Sequence, residues 1–407
     1  MKLIVSMDWN GNTRRVGHLD VFSSRGSETY QFAYERNWIK DGFQIDPELD
    51  LIDGQSFHMS TLAGCFQDAA PDRWGRLIQK RAHHGHLGEI DYQLGVSDFM
   101  RAGALRFSSD DTPDTYLSNH HSVPKLVDIR AFEEASRRVE NGVETSDDLL
   151  QLLGPGSSLG GARPKAVIQD KGSLYIAKFM SRNDDERVPT WEAVMLDLAS
   201  RAGITVPEHR LLNKNTQHPV LLAKRFDRVK ESRIPFSSAM TLTGMVDGDE
   251  YNYADLAALM RGFSPHANSD SLELWRRMIF NAMTGNTDDH LRNHAFLRVG
   301  DGWQLSPAYD LNPNPLPIDK RRHTLAFVQG EYAPSLKVCM EVGQALSLPK
   351  PQMKNILKDV GSALGQWRDV AKQHGLSDSE IGRMSTAFDH KESQKLMSTS
   401  KTQHPDL

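Results

Sequence analysis

The sequence predicts an α+β fold, and three features of its patterning carry that prediction. Up to Ser60, apolar and polar residues alternate between turn pairs, as in half-buried strands. The alternation returns from about residue 127 to Asp227. Beyond Tyr251, apolar residues recur instead at the spacing of helix faces. These shifts divide the chain into a β-rich segment (1–110), a mixed segment (111–235), a mostly helical segment (236–390) and a polar tail (391–407).

Residues 2–8 form the first strand, and Asn10-Gly11 turns it back because both positions accept a left-handed backbone. Residues 14–22 and 28–35 supply the next strands. From Ser60 helical spacing takes over. Pro71-Asp72-Arg73-Trp74-Gly75-Arg76 leads into Leu77-Ile78 and a basic end, Lys80-Arg81. The polar stretch 108–123, with Pro113 in it and Pro124 after it, is the expected boundary. Residues 165–170 and 173–180 pair as strands across Lys171-Gly172. Pro189 suits the first turn of a helix whose buried face is Val194, Met195, Leu198, Ala199 and Ala202. Residues 206–212 and 220–226 are further strands. Leu272, Trp275, Met278, Ile279, Ala282 and Met283 mark one amphipathic helix, closed by Gly285. After Phe388 the chain is polar and expected to fray.

Composition narrows the class. The 407 residues, 39% apolar and 25% charged, are enough for a large core without covalent staples. A net charge of −5 gives no whole-chain reason for direct contact with nucleic acid. Cys65 and Cys339 are the only cysteines, which fits a reducing compartment. Asp8 ends the first apolar run well short of a signal peptide. No window approaches the roughly 18 to 20 apolar residues of a membrane span. The expected location is cytoplasmic.

The most informative stretch is Thr284-Gly285-Asn286-Thr287-Asp288-Asp289-His290-Leu291-Arg292-Asn293. It follows a helix and precedes a predicted hairpin, 294–299 with 303–306, after which comes Pro307-Ala308-Tyr309-Asp310. Protein kinases place a catalytic Asp, a metal-binding Asn and a second metal-binding Asp in this order. Phosphoryl transfer needs a carboxylate to take the proton of the attacking hydroxyl, and hard oxygen ligands for Mg²⁺. Asp288 is the expected base, with Asn293 and Asp310 as metal ligands. Residue type does not separate Asp288 from Asp289; the spacing to Asn293 favours Asp288. Taken alone, an Asn/Asp-rich loop is simply a good turn former.

A second element is the glycine-rich run 154–165, ending Ser157-Ser158-Leu159-Gly160-Gly161-Ala162-Arg163-Pro164-Lys165. Glycines let backbone N–H groups approach phosphate oxygens closely. The run matches neither a Walker A loop nor a dinucleotide fingerprint. Lys178 interrupts the apolar strand that follows, as a phosphate-pairing strand lysine does. Glu192, in the next helix, is a candidate partner for it. Singly, these are also a solvated strand face and a favourable charge at a helix N-terminus. A third element, Leu221-Leu222-Ala223-Lys224-Arg225-Phe226-Asp227-Arg228, is a strand that ends abruptly in charge. It is either an adenine-binding hinge or a core strand running into a solvated turn.

In this order and at these separations, the run 158–165, Lys224-Arg225-Phe226-Asp227-Arg228, the loop 285–293 and Ser306-Pro307-Ala308-Tyr309-Asp310 resemble the hallmark motifs of the HipA family of bacterial toxin kinases. Residues 66–76, with Pro71-Asp72, also resemble its N-terminal domain, so the likeness spans about 1–390. The resemblance implies a protein-kinase-like two-lobed fold with an added N-terminal β-rich subdomain. It implies Mg²⁺- and ATP-dependent phosphorylation of a protein serine or threonine by the toxin of a toxin-antitoxin pair. In family members the target is an aminoacyl-tRNA synthetase, growth arrest and persistence follow, and a small DNA-binding antitoxin is the partner.

Carried over by position, Gly160, Gly161, Ala162, Arg163, Pro164 and Lys165 would contact phosphates and Lys178 would bind ATP. Lys224, Arg225 and Phe226 would form the hinge and Asp288 the base. His290, Leu291, Arg292, Asn293 and Tyr309 would line the nucleotide, and Asp310 would hold magnesium. Ser158 matches the serine whose autophosphorylation inactivates family members, with Ser157 adjacent. Asp289, where members often have a small residue, and Arg163-Pro164, where some have a more flexible pair, depart from the pattern.

Two other readings use the same residues. A small-molecule or lipid kinase also employs the Asp, Asn and Asp set, and a non-catalytic partner would hold an antitoxin on its operator. His83, His84 and His86, and His120 and His121, lack the spacing of metal ligands. Lys320-Arg321-Arg322-His323 is expected to be solvated loop charge. Trp74 and Trp275, at apolar helical positions, belong to cores.

Overall fold

Asn10 and Gly11 turn the chain with φ of 52° and 78°, and the strands they join, Lys2–Trp9 and Asn12–Ser24, pair antiparallel from Lys2↔Asp20 to Trp9↔Asn12. That left-handed pair matches the right-handed twist of the flanking strands. The computed structural model describes every residue except Arg25, His84, 119–122, 155–160, Glu231 and 402–407. It has two compact units: Met1–Asn183 with Leu222–Met245, and Asp184–Leu221 with Val246–Leu407. Both expected segment boundaries, near 110 and near 235, fall inside the first.

The first hairpin is the central pair of a six-stranded antiparallel sheet in the first unit. Its spatial order is Ser56–Met59, Ser27–Tyr34, Asn12–Ser24, Lys2–Trp9, Leu105–Ser109, Thr112–Tyr116. Tyr30, Phe32 and Tyr34 alternate into its core, where the Phe32 and Phe66 rings lie 5.7 Å apart. The last strand corrects an expectation, because the polar stretch taken for a boundary starts as a sheet edge. An edge strand needs partners on one side only, so it tolerates Pro113. The Pro113 carbonyl accepts from Ser108 Oγ at 2.9 Å, and Arg106 covers the Tyr116 ring.

Also in the first unit, Lys165–Asp170 and Ser173–Lys178 form a hairpin about Lys171 and Gly172, at φ of 47° and 79°. Ala166, Val167 and Ile168 are fully buried, and Phe179 N–H closes the hairpin's open end on the Pro164 carbonyl.

The second unit is mostly helical. Val188–Arg201 opens on Pro189, and the face expected from its spacing is buried throughout. Ala267–Thr284 buries Trp275, Met278, Ile279, Ala282 and Met283, and the Trp275 indole donates to the Cys339 carbonyl. Ala295–Val299 and Gly302–Leu305 form the expected hairpin. Among the described residues, no helix is long and apolar enough to cross a membrane.

As far as Lys401, the tail expected to fray is instead a helix, Lys391–Lys401, with Leu396 buried and Glu392 accepting from Leu336 N–H at 2.8 Å; the rest of the tail lies outside the described residues. Leu396 and polar anchors such as Glu392 help hold it, a pattern too sparse for periodicity to reveal. His390 starts it: Nδ1 accepts from Ser393 N–H at 3.2 Å, so the ring proton sits on Nε2 and is donated to the Met283 carbonyl at 3.0 Å. Burial, reinforced by Arg321, pulls this imidazole down to about 4. Its folded value lies below the unfolded value of about 6.5, so the unfolded chain binds the proton first. Stability of the second unit should therefore fall as pH drops from about 6.5 towards 4. Urea titrations across that range should show the fall shrink in His390→Gln; an unchanged slope would remove this residue from the acid response.

Candidate active site

The loop after Ala267–Thr284 is set by its first residue. Gly285 has φ of 70°, and a Cβ there would lie 2.9 Å from the Asn314 carbonyl oxygen. Glycine alone meets both demands. The chain then passes Asp288 and Asp289 and enters one turn of 3-10 helix, Leu291–Asn293.

The two adjacent carboxylates have opposite environments. The Asp288 side chain is 75% exposed, whereas that of Asp289 is 1% exposed. Asp289 Oδ2 accepts from Tyr253 Oη at 2.7 Å and His323 Nδ1 at 2.8 Å, and Oδ1 from the N–H groups of Thr324 and Leu325 at 3.1 and 3.3 Å. Burial alone would raise this carboxyl, but the charge and hydrogen bond of His323, with the Tyr253 bond, hold it below its usual range. Asp289 is a structural anion with its lone pairs in use.

Its partners correct one expectation. In the run Lys320-Arg321-Arg322-His323, Arg321 and His323 are buried. Arg321 Nε donates to the Leu316 carbonyl at 2.8 Å, and His323 points at Asp289. Tyr253 comes from the first turn of Tyr253–Phe263, a helix whose N-cap Asn252 accepts from Asp255 N–H at 2.8 Å.

The remaining residues expected in this loop converge. Asn293 Nδ2 donates to the Asp288 carbonyl at 2.7 Å, which leaves its Oδ1 as the atom suited to a hard cation. His290 Nε2 is 3.8 Å from Asp288 Oδ1, Leu291 is buried, and Arg292 forms an ion pair with Asp247. Tyr309 Oη donates to the Arg292 carbonyl at 2.6 Å. Asp310 has φ of 56°, a left-handed conformation costly for a residue with a Cβ. Such outliers persist where surrounding structure over-determines them, and they cluster at functional sites.

In the first unit, Gly160, Ser157 and Ser158 lie outside the described residues. Gly161, with φ of 96°, Ala162 and Arg163 are exposed, and Pro164 is buried. Lys165 departs from expectation: its ammonium is buried against Asp72 Oδ2 at 2.7 Å, not presented to a phosphate. Lys178 ends the strand Ser173–Lys178 in the same unit, whereas Glu192 is buried on Val188–Arg201 in the second.

The segment Lys224-Arg225-Phe226-Asp227-Arg228 departs from the solvated turn that was its plain alternative. Asp227 is wholly buried and accepts from Arg225, Arg228 and Gly103 N–H, and Arg225 also donates to the Met100 and Arg101 carbonyls. Burial pushes the Asp227 carboxyl up, but the two guanidiniums hold it well below the carboxylate range. Phe226 packs near the Phe236 ring at 6.5 Å.

The sequence pattern of the family described as HipA-like C-terminal domain matches residues 157–367, more than half of the 407. The chain belongs to this family. At the level of fold, it is similar over 98% of its length to HipA of Shewanella oneidensis, solved with HipB and operator DNA, with a TM-score of 0.69, 15% identity and 96% of that chain covered. Two curated proteins of Sinorhizobium fredii are also similar. One, named "Putative kinase Y4mE", is 24% identical across 93% of this chain and 97% of its own length. The other, named "Putative kinase Y4dM", is 26% identical across 39% of this chain and 40% of its own.

Within this HipA-like chain, motif reading missed the buried partners: Tyr253, His323 and Asp72. Asp72 had a local signal, since Asp ahead of Arg73–Ala82 is a good N-cap, and its Oδ1 does accept from Gly75 N–H at 2.8 Å. Its second bond, to Lys165, joins positions 93 residues apart, which no local pattern reports. Removing one member of a buried pair leaves the other charged and uncompensated. Asp72→Ala should cost about 3–5 kcal/mol in urea unfolding. Asp72→Ala with Lys165→Met should recover much of it, and equal costs for the single and double variants would contradict the pairing.

Proposed function

We propose that this HipA-like chain is a Mg²⁺- and ATP-dependent kinase that phosphorylates a serine or threonine of another protein. The observation that carries the reading is the asymmetry of the carboxylate pair: Asp289 is consumed by buried donors while Asp288, beside it, stands exposed. An exposed carboxylate on a fixed loop suits a general base for an incoming hydroxyl.

The donor set supports magnesium. Asn293 Oδ1 and the Asp310 carboxylate are hard oxygens, and a left-handed Asp310 is conformational strain that a functional site rationalises. Bound Mg-ATP supplies the transferable phosphoryl group and neutralises charge developing on it. Asp288 would orient the acceptor hydroxyl and take its proton as the new P–O bond forms and the bond from the γ-phosphorus to the bridging oxygen breaks, releasing ADP. Asn293 and Asp310 would hold the metal, and Lys178 and Gly161 would contact the phosphates. His290 and Arg292 shape the nucleotide side of the loop, and the backbone at Lys224–Phe226 addresses adenine. Lys165, held by Asp72, fixes where the glycine-rich run enters its strand.

The complex of the Shewanella HipA with HipB and operator DNA supports extending a DNA-binding antitoxin partner to this chain. The toxin role, an aminoacyl-tRNA synthetase substrate and inactivation by phosphorylation at Ser158 or Ser157 belong to the same proposal. Phosphate at either serine would add about −1.5 to −2 charges where backbone donors are needed for ATP.

The test is transfer from labelled ATP to proteins of a lysate, with and without Mg²⁺. Asp288→Ala should lower transfer on the order of 10²- to 10⁴-fold while leaving thermal stability unchanged, because the side chain is exposed. Asp310→Ala should raise the Mg²⁺ needed for half-maximal rate. Wild-type transfer by Asp288→Ala would remove the base assignment, and label only on small molecules or lipids would redirect the substrate class. Phosphopeptide mass spectrometry over 154–165 tests the inactivation step separately.

A further inference from the structure

The loop carrying Asp288 and the loop carrying Asp310 are joined in the second unit by a continuous row of hydrogen bonds, made by side chains and the Asn312 backbone N–H. Asp289 accepts from Tyr253 Oη at 2.7 Å. The same Oη accepts from Asn281 Nδ2 at 3.1 Å, and Asn281 Oδ1 accepts from Asn286 Nδ2 at 3.1 Å. Asn286 Oδ1 accepts from Asn312 N–H at 3.2 Å, and Asn312 Nδ2 donates to Asp310 Oδ1 at 3.4 Å. Tyr253, Asn281 and Asn286 are buried, so each polar group left without its partner would be desolvated and unpaired. Each amide also has its flip set by the row: Asn281 must donate to the phenol and accept from Asn286, and Asn286 must donate to Asn281 and accept from a backbone N–H.

From this geometry we infer that Tyr253, Asn281, Asn286 and Asn312 are positioning residues that hold the base and the second metal ligand in one register. The inference rests on the kinase reading for what the two loops do, but not for the row itself. Parallel bonds join the same two loops. Tyr309 Oη reaches the Arg292 carbonyl, Asn314 N–H reaches the Gly285 carbonyl at 3.0 Å, and Asn314 Nδ2 reaches Thr287 Oγ1 at 3.2 Å. None of the four residues in the row touches a reacting group by its assignment here. Their effect runs through Asp289 at one end and Asp310 at the other.

The row makes a specific demand on Asn286, which sits between the helix end and Asp310. Asn286→Ala separates the Tyr253 side of the row from the Asp310 side while leaving the exposed Asp288 carboxylate in place. Tyr253→Phe keeps the ring and removes one hydroxyl, breaking the row at its other end. A misplacement of about 1 Å between reacting groups is worth on the order of 10²-fold in rate. Both variants should therefore lower kcat on the order of 10- to 10²-fold with little change in KM for ATP, and Asn286→Ala should also raise the half-saturating Mg²⁺. Because both act through one row, the double variant should lose little more than the worse single variant.

The experiment uses the full chain, with cooperative thermal melts of each variant. Kinetics are accompanied by Mn²⁺ titration in the presence of a non-hydrolysable ATP analogue, read by electron paramagnetic resonance. Lowered kcat, weakened Mn²⁺ binding in Asn286→Ala and a non-additive double variant support the inference. A folded Tyr253→Phe protein with wild-type kcat, or losses that simply multiply, overturns it. If Asn286→Ala does not fold, Tyr253→Phe alone decides by the same kcat criterion. If the wild-type chain transfers no phosphate, the kinase reading fails on its own. The Mn²⁺ titration then decides the row: weaker binding in Asn286→Ala supports it, and unchanged binding overturns it.

Discussion

A carboxylate that has left water must be answered by donors, and the donors of Asp289 come from widely separated parts of the second unit. One is a phenol in the first turn of Tyr253–Phe263, and the others are an imidazole and two backbone N–H groups at 323–325. Each is held by its own element: Tyr253 by the Asn252 cap, and His323 by a backbone bond to the Tyr332 carbonyl. Low polarity around these bonds strengthens them and makes any loss expensive. The position of Asp288 is thus a by-product of burying its neighbour. The departure at Asp289 from the small residue common in the family becomes intelligible as the anchor of the loop.

The first unit uses the same device twice. Asp227 gathers Arg225, Arg228 and the 100–103 backbone into one buried network, and Asp72 holds Lys165 where the glycine-rich run meets its strand. Motif residues that a kinase comparison assigns to nucleotide therefore fall into two sets. Some, such as Arg225 and Lys165, shape the backbone from behind. Others, such as Gly161 and Arg163, remain exposed.

Much of this was legible in the sequence wherever a local rule applied. The turn at Asn10-Gly11, the buried face behind Pro189, the helix ending at Gly285 and the hairpin after Asn293 all follow from period, turn chemistry or capping. The order and spacing of Asp288, Asn293 and Asp310 are also readable in the sequence, and the proposed kinase role rests on that reading. What escaped was set by distant partners. Thr112–Tyr116 is polar yet a strand because one neighbour suffices at an edge, and Lys391–Lys401 is a helix because of Leu396 and Glu392. His323 looks solvated in a basic run because composition cannot report a carboxylate 34 residues upstream, and Arg321 does because it cannot report the Leu316 and Thr386 carbonyls. Asp288 and Asp289 are the same residue type in the same loop, so beyond the spacing to Asn293 it is burial that tells them apart.

The chain passes between the two units at 183–184, 221–222 and 245–246, so neither unit is a continuous stretch. During synthesis from the N-terminus, the first unit stays open until residue 245 has emerged, because Asp227 and its arginines arrive late. Meanwhile Val188–Arg201 is already out, with Trp191, Val194, Met195 and Leu198 bare, long before the helices that bury them exist. Such exposed apolar surface is what chaperones bind and what aggregates form on. The interleaving therefore lengthens the vulnerable interval of biogenesis. It also means that no fragment cut at a single peptide bond carries one complete unit and nothing of the other.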